Sequence, residues 1–151
     1  MRRYRFFTIQ PARYLSCIIS QFAADEVETR DVTIDRARME TPGPRRGVSY
    51  DSVSLAVVSN ERSHDRVAGY YEDAADILRF YGTLLGDVPY PTFTLALTDA
   101  ILPGGHSPAY FAVLNQQLPV HSGRRLSWRT DPVAFSGYPL FFLAHELAHQ
   151  W

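Results

Sequence analysis

His145-Glu146-Leu147-Ala148-His149-Gln150-Trp151 is the stretch from which the rest of the chain is read. On a helix, four residues nearly complete a 3.6-residue turn, so His145 and His149 share one face and both imidazoles can reach one metal ion. Glu146 then stands beside that face, where its carboxylate can hold a water next to the metal. The motif is His-Glu-x-x-His, two zinc ligands and one general base. The approach to it supports a helix. Ser136 can cap it, and Pro139 suits a first turn, where a missing N–H costs nothing. Phe141, Phe142, Leu143, Ala144, Leu147 and Ala148 supply enough apolar surface to bury most of the helix. A buried helix does not carry two histidines and a glutamate along one side without partners for them.

Working back from the helix, residues 116–133 read as a loop punctuated by Asn115, Pro119, Gly123 and Pro132. Residues 109–114 have strand composition and follow the break Pro103-Gly104-Gly105-His106-Ser107-Pro108. Composition alone favours a plain hairpin turn there. A glycine pair feeding a strand beside a metal helix is also a place where a substrate backbone can approach, which makes Gly104, Gly105, His106 and Ser107 the candidate substrate-binding residues. His106 and His121 lack ligand spacing to any other group and read as ordinary loop histidines. His64 reads as solvent-facing.

Residues 92–98 alternate, with Phe93, Leu95 and Leu97 on one face, and residues 52–58 do the same with Val53, Leu55 and Val57. Both are strands. Between them the period changes to that of a helix over residues 63–86. Val67, Tyr70, Tyr71, Ala74, Ile77, Leu78, Tyr81, Leu84 and Leu85 form the apolar side, opposite Asp65, Arg66, Glu72, Asp73, Asp76 and Arg79. Ser63 is the expected N-cap and Gly86 the stop. The aromatic stripe is a packing face, not a cofactor box.

The first fifty residues read as short β elements at residues 5–10, 14–22 and 32–34. They end in the Pro/Gly-rich linker Glu40-Thr41-Pro42-Gly43-Pro44-Arg45-Arg46-Gly47. The fold class expected is α+β, with residues 1–48 the end of a β unit and residues 49–151 a second unit.

Composition bounds the function. The chain has 151 residues, 46% of them hydrophobic, and a net charge of −1, so it can build a core and offers no basic surface for nucleic acid. Every one of the 15 basic residues is arginine, a bias of codon composition and not a binding code. Cys17 is the single cysteine, so no internal disulfide forms and the compartment stays open. Its apolar neighbours make it an expected buried thiol. No stretch is long enough to span a bilayer as a helix, and no signal-peptide core is present.

The order strand, long helix, Gly86-Asp87-Val88-Pro89-Tyr90-Pro91, strand, Pro-Gly-Gly turn, strand, His-Glu-Leu-Ala-His-Gln-Trp resembles the membrane alanyl aminopeptidase family. These are zinc metallopeptidases of the gluzincin type, with a thermolysin-like catalytic domain. Gln-Trp commonly follows the second histidine there. The resemblance covers residues 50–151 and extends more weakly to residues 1–50. It implies the C-terminal end of a β-sandwich, followed by the first half of a thermolysin-like domain of mixed sheet plus helices. It also implies one catalytic zinc with His145 and His149 as ligands, Glu146 as general base, and a peptide or protein substrate. Two departures stand out. The family's Gly-x-Met-Glu-Asn, whose glutamate grips a free amino terminus, is here Gly104-Gly105-His106-Ser107-Pro108, without a carboxylate. The family's third ligand, a glutamate on a following helix, and its catalytic tyrosine have no counterpart before Trp151.

Catalytic zinc needs three protein ligands and a water. The expectation is therefore an incomplete fragment of a metallopeptidase that hydrolyses peptide bonds through a zinc-activated water, with a weak zinc site and marginal stability when isolated. Two alternatives stay open. One is a non-catalytic peptide-binding module derived from such an enzyme. The other is a structural zinc site completed by His106 or His121. Oligomeric state is not readable.

Overall fold

Alternating strands with a helix of matching length between them should make a crossover unit, and they do. A computed structural model describes residues 3–8, 16–23, 27, 29–35, 50–98, 105–114 and 140–151. Five strands form one mixed sheet: β1 (Thr29–Thr33), β2 (Ser52–Ser59), β3 (Thr92–Leu97), β4 (Gly105–His106) and β5 (Phe111–Leu114), in the order β1-β2-β3-β5-β4. The central pairs β2–β3 and β3–β5 are parallel, and the outer strands β1 and β4 run antiparallel to their neighbours. Helix α1 (Val67–Leu85) carries the chain from β2 to β3, as parallel neighbours require. Helix α2 (Phe141–Ala148) carries His145 and Glu146 and ends on His149. A mixed sheet with two helices is an α+β arrangement.

The core forms where the inward residues of the strands meet the apolar sides of both helices. Val53, Leu55 and Val57 of β2 and Phe93, Leu95 and Leu97 of β3 join Tyr70, Tyr71, Ala74 and Leu78 of α1 and Phe142, Leu143 and Leu147 of α2 in one cluster. The period-2 and period-3.6 expectations for these elements hold, except at the end of α1, where Leu84 and Leu85, expected on the apolar side, are exposed. Two contacts draw α1 close to the sheet. The Tyr71 hydroxyl donates to the carbonyls of Arg30 (3.1 Å) and Leu55 (3.3 Å). Gly82 lies so near Ile34 that an added Cβ would come within 2.9 Å of it. At Gly86 the chain turns with φ 68°, a conformation glycine adopts without strain, and its N–H still bonds to the Gly82 carbonyl at 3.0 Å. The expected stop is therefore observed.

Four expectations need correction. The long helix does not start at Ser63. A 3-10 turn over Glu61–Arg66 precedes it and runs straight into Val67, with Asn60 rather than Ser63 in the capping position. A 3-10 segment is a common way to begin an α-helix, and hydrophobic periodicity cannot distinguish the two. The strands expected at residues 5–10 and 14–22 are not strands where described, at residues 5–8 and 16–22. Apolar and aromatic composition makes a strand only where a neighbour completes the ladder. Cys17 is exposed, not buried, for the same reason: the apolar run around it packs against little, and Ile19 is 95% exposed. On α2, Phe141 and Ala148 are exposed, so the buried face is narrower than the composition implied.

Strand β1, from within residues 1–48, pairs with β2 along five residues. Ser136 and Pro139, read as the start of the metal helix, and the loop at residues 115–133 lie outside the described residues. Among the described residues no helix is long and apolar enough to cross a membrane.

Candidate metal centre

The motif helix is anchored before it is functional. Leu143 and Leu147 have no exposed surface and pin α2 to the core. The Tyr81 hydroxyl of α1 donates to the Ala144 carbonyl (3.2 Å), and the Tyr81 ring packs against Trp151 with centroids 5.4 Å apart. The Trp151 indole N–H donates to the Asp87 carbonyl at 2.7 Å, just past the end of α1. Both ends of the motif are thus tied to the preceding helix.

On the solvent side of α2 stand His145 and His149. Their Nε2 atoms face each other at 3.3 Å, with the rings nearly perpendicular. Two nitrogens bound tetrahedrally to one zinc at about 2.0–2.1 Å stand about 3.3 Å apart, so the pair already has the spacing of two ligands. The donor chemistry fits as well, since neutral imidazole is a common zinc ligand. Phe141 lies beside His145, ring centroids 6.2 Å apart. Among the described residues no third histidine, cysteine, aspartate or glutamate joins them. His106 is exposed on β4, His64 is exposed as expected, and His121 and Gly104 lie outside the described residues.

Glu146 projects from the same helix into a different environment. It is buried, and its Oε2 accepts a hydrogen bond from the Ser107 hydroxyl. Gly105 closes over the same carboxylate: a Cβ there would lie 2.5 Å from Glu146 Cδ and Oε1 and 2.8 Å from Phe142 Cζ. Two of the candidate substrate residues, Gly105 and Ser107, therefore touch the candidate base, and His106 between them points out.

This arrangement depends on how the loop after β4 is held. Gln150, the residue after the second histidine, is buried. Its side-chain carbonyl accepts from the Tyr110 N–H (3.2 Å), and its amide donates to the Pro108 carbonyl (3.1 Å). Tyr110 has φ 75°, which L side chains seldom adopt, and the Gln150 bond falls on this residue. The Tyr110 ring packs on Tyr90 with centroids 4.5 Å apart, and burial first, then Tyr110, raises the Tyr90 phenol above its ordinary value. Sequence reasoning missed both the Ser107–Glu146 bond and the Gln150 clamp. The available signal was the glutamate itself, a charge inside an apolar helix that needs a partner.

No family model matches the chain, and no curated protein matches it.

Proposed function

We propose that the chain is the part of a zinc-dependent peptidase that carries the metal helix, and that His145 and His149 bind one zinc ion while Glu146 serves as general base. The observation behind this reading is the 3.3 Å separation of the two Nε2 atoms on the open face of α2. Zinc in such a site acts as a Lewis acid on a peptide carbonyl and brings the pKa of a coordinated water toward neutrality. The protein's own tasks are to hold the ligands and move a proton. Glu146 accepts a proton from water as the carbonyl is attacked and passes it to the leaving amine. The edge strand β4 and its loop lie against Glu146 and are where an extended peptide would run. On this reading the fold is the first half of a thermolysin-like domain, with residues 1–48 the end of a β-sandwich, and the lineage is that of the alanyl aminopeptidases. The third ligand comes from outside the described residues.

Equilibrium dialysis against zinc, on the full-length gene product and its His145→Ala variant, tests the site. Hydrolysis of chromogenic peptides, with and without chelator, tests the reaction. One zinc per chain, lost in the variant, together with chelator-sensitive hydrolysis, is the expected result. Absence of zinc binding would overturn the reading. A second reading, a peptide-binding module without catalysis, draws on the burial of Glu146 beneath the β4 loop, since a buried, hydrogen-bonded carboxylate can serve as a structural anchor. It predicts peptide binding that a chelator leaves unchanged.

A further inference from the structure

We infer that Ser107 is a positioning residue for Glu146, an assignment that rests on the peptidase reading above. A general base works only if its oxygen stays within hydrogen-bond reach of the proton it takes. A glutamate side chain has a broad terminal torsion, so its carboxylate plane is not set by the helix that carries it. Here two neighbours set it. The Ser107 hydroxyl donates to Oε2, and the Gly105 backbone lies against Cδ and Oε1 so closely that no side chain fits between them. A carboxylate has about four acceptor sites, and the hydroxyl occupies one, so capacity for a water remains.

The serine is itself held from behind. Pro108 and Tyr110, one and three residues on, are the two points that Gln150 grips, and β4 is registered on β5 through Gly105–Leu114 and His106–Val113. Gln150 and Glu146 belong to the same segment, four residues apart. The segment therefore holds the loop with one side chain, and the loop orients another side chain of that segment. Hydrogen bonds to a charged acceptor are the strong ones, and an oriented base is worth more to the transition state than to the bound substrate. Loss of the hydroxyl should lower kcat and spare KM.

The test compares Ser107→Ala and Ser107→Thr in the full-length gene product, with Ser54→Ala as a matched loss of a distant hydroxyl that bonds Asp31 at 2.9 Å. The expected result is a kcat for Ser107→Ala at least about 10-fold lower, a part of the roughly 10²–10⁴-fold that general acid–base catalysis contributes. KM and zinc stoichiometry should not change, Ser107→Thr should recover most of the loss, and Ser54→Ala should match the parent. Melting of the metal-free protein supplies a readout independent of activity. Ser107→Ala, Glu146→Ala and the double variant should show non-additive shifts in Tm, because the two singles break one contact. An active parent whose kcat survives Ser107→Ala within twofold would overturn the inference and leave the peptidase reading standing. A zinc-loaded parent without hydrolysis would overturn both, and coupled Tm shifts would then make the contact a structural one only.

Discussion

Helices α1 and α2 treat their polar side chains in opposite ways. The charged ones of α1 sit on an exposed face and find partners at the surface: Arg79 pairs with Asp76 at 2.7 Å, and Glu72 with Arg30 at 3.1 Å, all four well exposed. Exposed pairs of this kind contribute little, because water and salt compete for both partners. On α2 and the three residues after it, Glu146, Gln150 and Trp151 each meet one definite group: the Ser107 hydroxyl, the Pro108–Tyr110 backbone and the Asp87 carbonyl. Of the polar side chains there, only His145 and His149 face solvent, and they face each other. The 19-residue helix gives the sheet its cover, whereas the 8-residue helix holds chemistry in place. Short length is affordable for α2 because its neighbours, not its own hydrogen bonds, hold it.

Apolar truncations should separate the two helices most widely. Leu147 has no exposed surface and lies between the two histidines in sequence, whereas Leu84 on α1 is 63% exposed. Leu147→Ala should cost about 2–5 kcal/mol in chemical denaturation, the usual range for a buried leucine. Leu84→Ala should stay within about 0.5 kcal/mol, as surface changes do. Equal effects would mean that α2 is not packed as described.

Gly105→Ala comes next. The new methyl would meet the Glu146 carboxylate at 2.5 Å, and the backbone of β4 is tied to β5, so the glutamate must move. A cost of about 1–3 kcal/mol is expected from overpacking. Any hydrolytic activity should fall further than stability does, because the displaced group is the proposed base. A variant with full activity would break the link between β4 and α2.

What could be read in advance follows the same division. Strands β2 and β3 and helix α1 were legible because one face of each is buried, and burial writes its period into the residues: Val53, Leu55 and Val57 at every second position, Tyr70, Ala74 and Leu78 at every fourth. The histidine pair was legible because four-residue spacing on a helix is local. The clamp was not. Ser107 and Glu146 are 39 residues apart, and Gln150 reaches back 42 residues to Pro108, so nothing in either neighbourhood announces the other. The N-terminal strands failed for a related reason, since a strand is a property of a pair and residues 5–8 and 16–22 alone do not contain the partner.

Gln150 offers a test of that long-range contact. Gln150→Leu keeps the volume but leaves the Tyr110 N–H and the buried Pro108 carbonyl without their side-chain partner. The Pro108 carbonyl keeps the Phe111 N–H at 3.4 Å, so the expected loss is about 1–3 kcal/mol, the net scale of two lost hydrogen bonds. Hydrogen exchange should rise at Tyr110 more than in α1. Uniform loss of protection would show that the glutamine supports the whole fold and not the loop.

The smallest effect belongs to the exposed side of α1. Burial first, and then the neighbouring Asp76, raises the Asp73 carboxyl above its ordinary value. For an acid the sign is then fixed. The folded protein binds the proton more tightly than the unfolded chain, so this group stabilises the fold at low pH, and that contribution is lost as pH rises through the raised pKa. At neutral pH the charged Asp73 is a slight liability. Asp73→Asn removes the charge with little change in helix propensity, and should stabilise the protein at pH 7 by a few tenths of a kcal/mol, the size of a like-charge pair on a helix. The gain should shrink as the pH of the melt is lowered toward the ordinary carboxylate value of 3.8, where the native aspartate is itself protonated. An advantage that persists undiminished in acid would assign it to packing of the amide. A loss at pH 7 would mean that the Asp73 charge is compensated, and that α1 too contains a charged side chain with a definite partner.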